Sequence, residues 1–306
     1  MENSSCVAIV GAGELGRAIG FLLKEKNIAA EFWDADPAVV PGQRPLAELI
    51  PAVDHVLFSV PSWAMRAAVT GVLPYLKPDA TVVSFAKGIE KDSLQTMAEM
   101  VPTLLPPTQP FMVVGGPMLA AEIVAGNDAI GVFASKNAAA LAWANDAFVG
   151  EHFRVETTPD TASVALAGVL KNIYAVALGI ADGLGVSGNE KGWVTAAATK
   201  EMVDAATALG ADPKIILGAA GVGDLIATGY SVHSRNREVG MVIVATGKCD
   251  IRGEGLSSLP FLMARLGEKA QAFPLMMLVN RIGIACEPAR PAFEEYFAHA
   301  DANANG

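Results

Sequence analysis

Cys6–Val7–Ala8–Ile9–Val10–Gly11–Ala12–Gly13–Glu14–Leu15–Gly16 is the stretch whose reading decides the fold. An apolar run of strand character meets glycines at the spacing G-x-G-x-x-G, and helical spacing follows from Leu15 to Lys26. Each glycine has its own task in such a turn. Gly11 permits the tight reversal, Gly13 lets backbone approach a pyrophosphate, and Gly16 lets helix and strand pack closely. The first helical N–H groups, around Glu14 and Leu15, then face phosphate oxygens. Glycines also mark ordinary turns, so the motif draws its weight from its surroundings.

Working outward, four more short segments rich in branched and aromatic residues follow: Ala30–Trp33, His55–Val60, Thr81–Phe85 and Phe111–Val114. Their apolar continuity predicts, with the first, five buried parallel strands. Helical spacing between them, as in Trp63 to Leu76, predicts a doubly wound α/β sheet, with a sixth strand over Ala129–Phe133. Glu156–Thr157–Thr158–Pro159–Asp160 carries turn and helix-start signals, and beyond it strand patterns nearly vanish. Helical stretches there stop at Gly183–Gly188, Gly218–Gly223 and Gly253–Gly255. The 306 residues suit two domains. We expect a Rossmann-type dinucleotide-binding domain over 1–158 and a mainly α-helical domain over 159–306, with a site in the cleft between them.

Hydrophobic residues at 52 % and charged ones at 18 % fit large packed interiors and argue against long disordered tracts. A net charge of -10 would repel polyanions, and no basic run offsets it, so nucleic acid is not an expected partner. Cys6, Cys249 and Cys286 lie far apart in no metal-type pair, which predicts buried, unpaired packing residues in a reducing compartment and no metal. Met1–Ser5 lacks the marks of a signal peptide, so the cytoplasm is the expected location. The apolar stretch from Ala162 to Ile180 is interrupted by Lys171 and Asn172, which predicts a buried helix over a membrane span. The polar tail Asp301–Gly306 is expected to fray.

Asp34 ends the second strand about twenty residues past the glycine loop, where an acid accepts hydrogen bonds from the adenosine ribose. That favours NAD, while nearby Arg44 keeps NADP open. In Leu170–Lys171–Asn172, a lysine and an asparagine sit in apolar surroundings, and burying an ammonium requires a partner or deprotonation. Asp182, eleven residues on, returns to the same helical face as a possible charge partner. A lysine whose stem packs while its head reaches water is the ordinary alternative. Further on, Gly223–Asp224–Leu225 and Thr228 precede Ser234–Arg235–Asn236–Arg237, where a guanidinium could hold a phosphate in a two-pronged bond. By composition alone a solvated helix start is the commoner case, and His233 reads as a surface residue.

Together these segments resemble NAD-dependent glycerol-3-phosphate dehydrogenase over nearly the whole chain. The specific stretches are Gly11–Gly16, Ala86–Lys87–Gly88–Ile89–Glu90, Gly116–Pro117 with Glu122, Leu170–Lys171–Asn172, Asp182–Gly183–Leu184–Gly185, Gly223–Asp224–Leu225 and Ser234–Arg235–Asn236–Arg237. The resemblance implies that Lys171 moves the proton at the reacting oxygen, with Lys87 a second lysine in the site. Asp224, Asn172 and Thr228 would orient Lys171 and the substrate. Ser234, Arg235 and Asn236 would hold the substrate phosphate. Gly11, Gly13, Glu14, Leu15, Gly16, Asp34, Pro61, Lys87, Arg235 and Glu254 would contact NAD, or NADP.

A neighbouring Lys87 and partial burial would lower the Lys171 pKa, with Asp224 opposing. The resemblance further implies a homodimer. Some positions depart from the family pattern. After the second strand, Pro41–Gly42–Gln43–Arg44–Pro45 replaces a longer insertion, and Leu15, Arg17, Ala165 and Ala197 stand where other residues are usual. Those changes leave two alternatives, a reductase of another keto acid or phosphorylated ketone of the ketopantoate-reductase kind, and an NAD-binding sensor without turnover.

Overall fold

The computed structural model describes residues 6–250 and 252–304, with side chains to 298. The chain divides into two compact units, Met1–Ala165 and Leu166–Gly306. The first unit is built on a seven-stranded sheet: β1 (Val7–Val10), β2 (Ala30–Trp33), β3 (His55–Phe58), β4 (Thr81–Ser84), β5 (Phe111–Gly115), β6 (Ala129–Ala134) and β7 (Phe153–Thr158). Their order is β2-β1-β3-β4-β5-β6-β7. The first five strands run parallel, as expected, but β2, at the sheet edge and carrying Glu31, is only half-buried. β1 pairs on both sides, Val7 opposite Ala30 and opposite His55, so the sheet order reverses between β1 and β3. Open α/β sheets bind ligands beside such a reversal, at the carboxyl ends of the strands.

Alternation within β1 shows why both faces are apolar. Val7 and Ile9 join a core with Ala18, Ile19, Leu22 and Leu23 of the helix Glu14–Glu25. Ala8 and Val10 join the opposite core with Met65, Val69 and Val72 of the helix Ser62–Val72. A strand covered on both sides needs no polar face.

The last two strands extend the predicted sheet, and one expectation requires correction. β6 runs antiparallel to β5, and β7 then runs parallel to β6, so the sheet is mixed. Glu156–Thr158, read as a turn and helix start, belongs to β7, and the helix begins only at Thr161. The polar alternation of this strand hides it, because edge strands need little apolar character.

His55 opens β3, is 9 % exposed, and stacks on the Trp143 ring with centroids 3.7 Å apart. Burial lowers its pKa from 6.5 to about 4, with the charge of Asp54 opposing. A proton therefore binds the unfolded chain from pH 6.5 downward and the folded chain only near pH 4. The folded state loses stability across that window, by about 3 kcal/mol. The stability difference between wild type and His55→Phe, measured by urea unfolding at pH 7 and at pH 4, should shift by that amount in favour of the variant. An unchanged difference would refute the assignment.

The second unit is helical, as predicted, and its central element is the helix Thr161–Leu184, which begins in the first unit. By length and composition this helix could cross a membrane, but 94 % of its apolar window is buried in the protein. Glycines let its neighbours come close. A Cβ on Gly240, in the helix Arg235–Thr246, would stand 2.4 Å from the Val176 carbonyl oxygen. A Cβ on Gly255, at the start of the helix Glu254–Leu266, would stand 2.4 Å from that of Asn172.

The cysteine expectation is also corrected. Cys249 and Cys286, expected to be unpaired, lie side by side with Cα atoms 6.0 Å apart, a separation that suits a disulfide. Cys286 is exposed, while Cys249 and Cys6 are half-buried. The two follow the helices Arg235–Thr246 and Pro274–Gly283, which pack together and bring their ends side by side. No spacing rule in the sequence reports that proximity. The helix Ala289–Ala304 runs into the tail expected to fray, while residues 305–306, like Met1–Ser5, lie outside the described residues.

Candidate active site

In the first unit, the loop after β1 and the loop after β3 enclose a cavity of about 430 Å³. Its lining includes Gly11, Gly13, Trp33, Asp34 and Pro61, with small alanines from the helix Ser62–Val72 on one wall. The tasks of Gly11 and Gly16 are visible in the backbone. Gly11 has φ +98°, and a Cβ there would stand 2.6 Å from the Ser59 carbonyl oxygen. A Cβ on Gly16 would stand 2.1 Å from the Gly11 carbonyl oxygen, so this position needs glycine for strand–helix contact. A Cβ on Gly13 would meet nothing within 4 Å, and no side chain caps the helix that follows. An open glycine backbone and uncapped N–H groups fit a pyrophosphate, and the apolar wall fits an adenine ring.

Glu14 is exposed in the first turn of that helix. Leu15 is half-buried against the core below the sheet, and the Arg17 guanidinium donates to the Val39 carbonyl at 3.0 Å. Asp34 accepts the Ala12 N–H at 2.9 Å, joining β2 to the glycine loop.

Lys87 follows β4, and its Nζ donates to the Gly116 carbonyl at 3.0 Å. Gly116 has φ +97°, and a Cβ there would stand 2.5 Å from the Ile130 carbonyl oxygen, so glycine is required where the backbone turns to offer that acceptor. The Lys87 loop is fastened by Glu90, which is buried and pairs with Arg66 and Ser93. The Arg66 guanidinium and the Ser93 hydroxyl hold the Glu90 carboxyl at about 2, far below its usual range.

In the second unit, Lys171 is buried, and its Nζ donates to Thr228 Oγ1 at 2.8 Å and lies 3.0 Å from Asp224 Oδ1. The Thr228 hydroxyl donates to the same carboxylate oxygen at 3.0 Å. A π-helical turn over Ala219–Gly223 leads into Asp224, and such turns recur at functional sites. Asn172 Oδ1 accepts from Asn236 Nδ2 at 2.9 Å, and Asn236 Oδ1 accepts the Gly255 N–H at 3.0 Å.

The predicted residues of this unit thus form two linked pairings on consecutive residues of one helix. Glu254 opens the helix whose second residue is Gly255. Ser234 caps the helix Arg235–Thr246, accepting the Arg237 N–H at 3.2 Å. Arg235 is exposed and pairs with Glu238 at 2.7 Å. His233 is exposed as expected.

Asp182 is not the partner of Lys171. The helix does persist to Leu184, but Asp182 pairs with Lys191 at 2.7 Å and with Arg237. Sequence reading also missed Glu201. Its carboxylate accepts the N–H groups of Leu275 and Met276, at 2.7 and 3.0 Å, and the Tyr174 hydroxyl at 3.0 Å. Burial raises the Glu201 carboxyl pKa despite those three donors. A signal existed: Glu201 falls on the apolar stripe Val194, Ala198, Glu201, Ala205, where a carboxylate needs partners.

A reversed-order, mostly parallel sheet with a glycine-rich loop, joined in sequence to a helical unit with a buried lysine, defines the class of two-unit nicotinamide-dinucleotide-binding proteins. Within it, residues 37–141 match the N-terminal family model of NAD-dependent glycerol-3-phosphate dehydrogenase, and residues 160–292 match its C-terminal model. The chain belongs to that family. A glycerol-3-phosphate dehydrogenase (NAD(P)+) of Geobacter metallireducens is 31 % identical over 94 % of this chain and 96 % of its own length. That of Pelotomaculum thermopropionicum is 35 % identical over 91 % and 89 %. The crystal structure of glycerol-3-phosphate dehydrogenase from Coxiella burnetii superposes with a TM-score of 0.86 at 26 % identity, covering 96 % of this chain and 99 % of that one.

Proposed function

We propose that this chain interconverts dihydroxyacetone phosphate and sn-glycerol 3-phosphate with NAD(H), acting in the cytoplasm as a homodimer. The observation that carries the reading is the buried Lys171, held by Asp224 and Thr228, beside Asn172 and its partner Asn236. A bound nicotinamide supplies the hydride. Negative charge then grows on the ketone oxygen, and an ammonium aimed at it stabilises the transition state more than the ground state. Lys171 gives its proton to that oxygen in reduction and takes it back in oxidation. Asp224 and Thr228 fix the direction of its Nζ, so the cation needs no reorganisation during the reaction.

Arg235 and Asn236 stand in the first turn of their helix, where N–H groups and a guanidinium together favour a phosphate. The exposed pair of Arg235 with Glu238 is worth about 0.5 kcal/mol or less, so the guanidinium exchanges it readily for a phosphate. Ser234 supports this helix start as its cap. Family membership sets aside the keto-acid reductase, and an intact lysine assembly argues against a sensor without turnover.

The test is NADH oxidation with dihydroxyacetone phosphate, unphosphorylated dihydroxyacetone and ketopantoate offered separately. Turnover of the first alone is expected. Arg235→Ala should raise KM for the phosphorylated ketone about 100-fold, while leaving the Kd for NADH within a few fold. Turnover of ketopantoate, or of none of the three, would refute the substrate assignment.

A further inference from the structure

We propose that Gln43 is a positioning residue that makes this chain select NAD over NADP by holding the Asp34 carboxylate against the glycine loop. The inference rests on reading the cavity between the β1 and β3 loops as the seat of the adenosine half of the cofactor. The Gln43 side chain makes two hydrogen bonds to one residue of the β2 end. Its Oε1 accepts the Asp34 N–H at 2.7 Å, and its Nε2 donates to the Asp34 carbonyl at 2.8 Å. That exchange of donor and acceptor mimics a strand partner, which the β2 end otherwise has only on its β1 side.

With its backbone held, Asp34 has its carboxylate fixed as well. Oδ2 accepts the Ala12 N–H at 2.9 Å and Oδ1 accepts the Asp36 N–H at 3.0 Å. The carboxylate therefore stands at the lining of the cavity, between the phosphate-binding loop and the turn after β2. An adenosine with a free 2′-hydroxyl can donate to such an acceptor. A 2′-phosphate, with a charge of about -2, has no proton to donate at neutral pH and meets a like charge.

NADP sites answer that charge with an arginine, and Arg44 and Arg17 both have other partners in this structure. Arg44 gives one nitrogen to Glu31 at 2.8 Å and another to the Glu48 carbonyl at 2.9 Å. Arg17 donates to the Val39 carbonyl at 3.0 Å. Arg44, the arginine that kept NADP open in the sequence, is paired with Glu31 across an exposed contact. The short connection after β2 makes this possible: Gly42, at φ +74°, reverses the chain so that Gln43 faces back to Asp34 while Arg44 continues to Glu31.

The experiment is equilibrium titration of the full chain with NADH and with NADPH, followed by nicotinamide fluorescence, alongside steady-state kinetics. Wild type should bind NADH at least about 100-fold more tightly than NADPH. Gln43→Ala, and Gln43→Met of similar length without the amide, should cut that ratio to about tenfold or less, with kcat at saturating NADH within about twofold of wild type. A purely structural role would lower the melting temperature without moving the ratio. Equal wild-type affinity for the two cofactors, or an unchanged ratio in both variants, overturns the proposal. If wild type binds neither cofactor, the reading of the cavity itself fails, and the selectivity inference falls with it.

Discussion

Lys171→Ala is expected to lower kcat for dihydroxyacetone phosphate reduction by about a thousandfold or more, the scale set by losing a proton donor together with the charge that meets the oxyanion. NADH affinity should hardly change, because the proposed cofactor cavity is lined by residues of the first unit. The variant carries a complication that the structure itself identifies. Removing a buried ammonium leaves Asp224, at 2 % exposure, without its ion-pair partner, and breaking one side of a buried pair costs about 3–5 kcal/mol. Loss of activity could then report loss of folding. The double variant Lys171→Met with Asp224→Asn removes both charges and should melt close to wild type while remaining inactive. Single-turnover assays on both proteins, with thermal melts beside them, separate the two effects. Near-wild-type turnover in either variant would refute the role of Lys171.

Glu201→Ala is expected to be the most destabilising single change in the second unit that touches no proposed site residue. One carboxylate answers three donors: two N–H groups in the first turn of the helix Pro274–Gly283, and the hydroxyl of Tyr174, which is fully buried. Both N–H groups belong to the set that every helix leaves without an internal partner. Deleting the carboxylate strands them in apolar surroundings, for a loss of about 3–5 kcal/mol. Glu201→Gln keeps the length and the carbonyl acceptor and should recover about half of that loss. Urea unfolding of the three proteins provides the check, and a loss under 1 kcal/mol for Glu201→Ala would mean that water replaces the carboxylate. The same pairing bears on the candidate site, because Tyr174 lies two residues beyond Asn172 on the central helix.

Much of this protein was legible in its sequence because the relevant code is local. The run from Cys6 to Gly16 specifies strand, turn and helix through nearest-neighbour chemistry: apolar continuity for a strand covered on both faces, then glycines at 11 and 16 where backbone geometry admits nothing larger. Lys171 and Asn172 stood out for an equally local reason, as polar groups inside an apolar helical repeat. That the helix Thr161–Leu184 would be buried followed from the same two residues.

What the tertiary structure alone decided is the choice of partners. Helical periodicity offered Asp182 to Lys171, but the packing of distant helices delivered Asp224 and sent Asp182 to Lys191 and Arg237. Cys249 and Cys286 meet because two helix ends meet, Glu201 answers N–H groups more than seventy residues on, and Gln43 turns back on Asp34 where composition drew attention to Arg44. β7 and the antiparallel turn of β6 belong to the same group. The physical reason is common to them all. Backbone conformation responds to dihedral preference and apolar period within a few residues, whereas a buried polar group takes whichever partner the whole packing arrangement brings within hydrogen-bond reach.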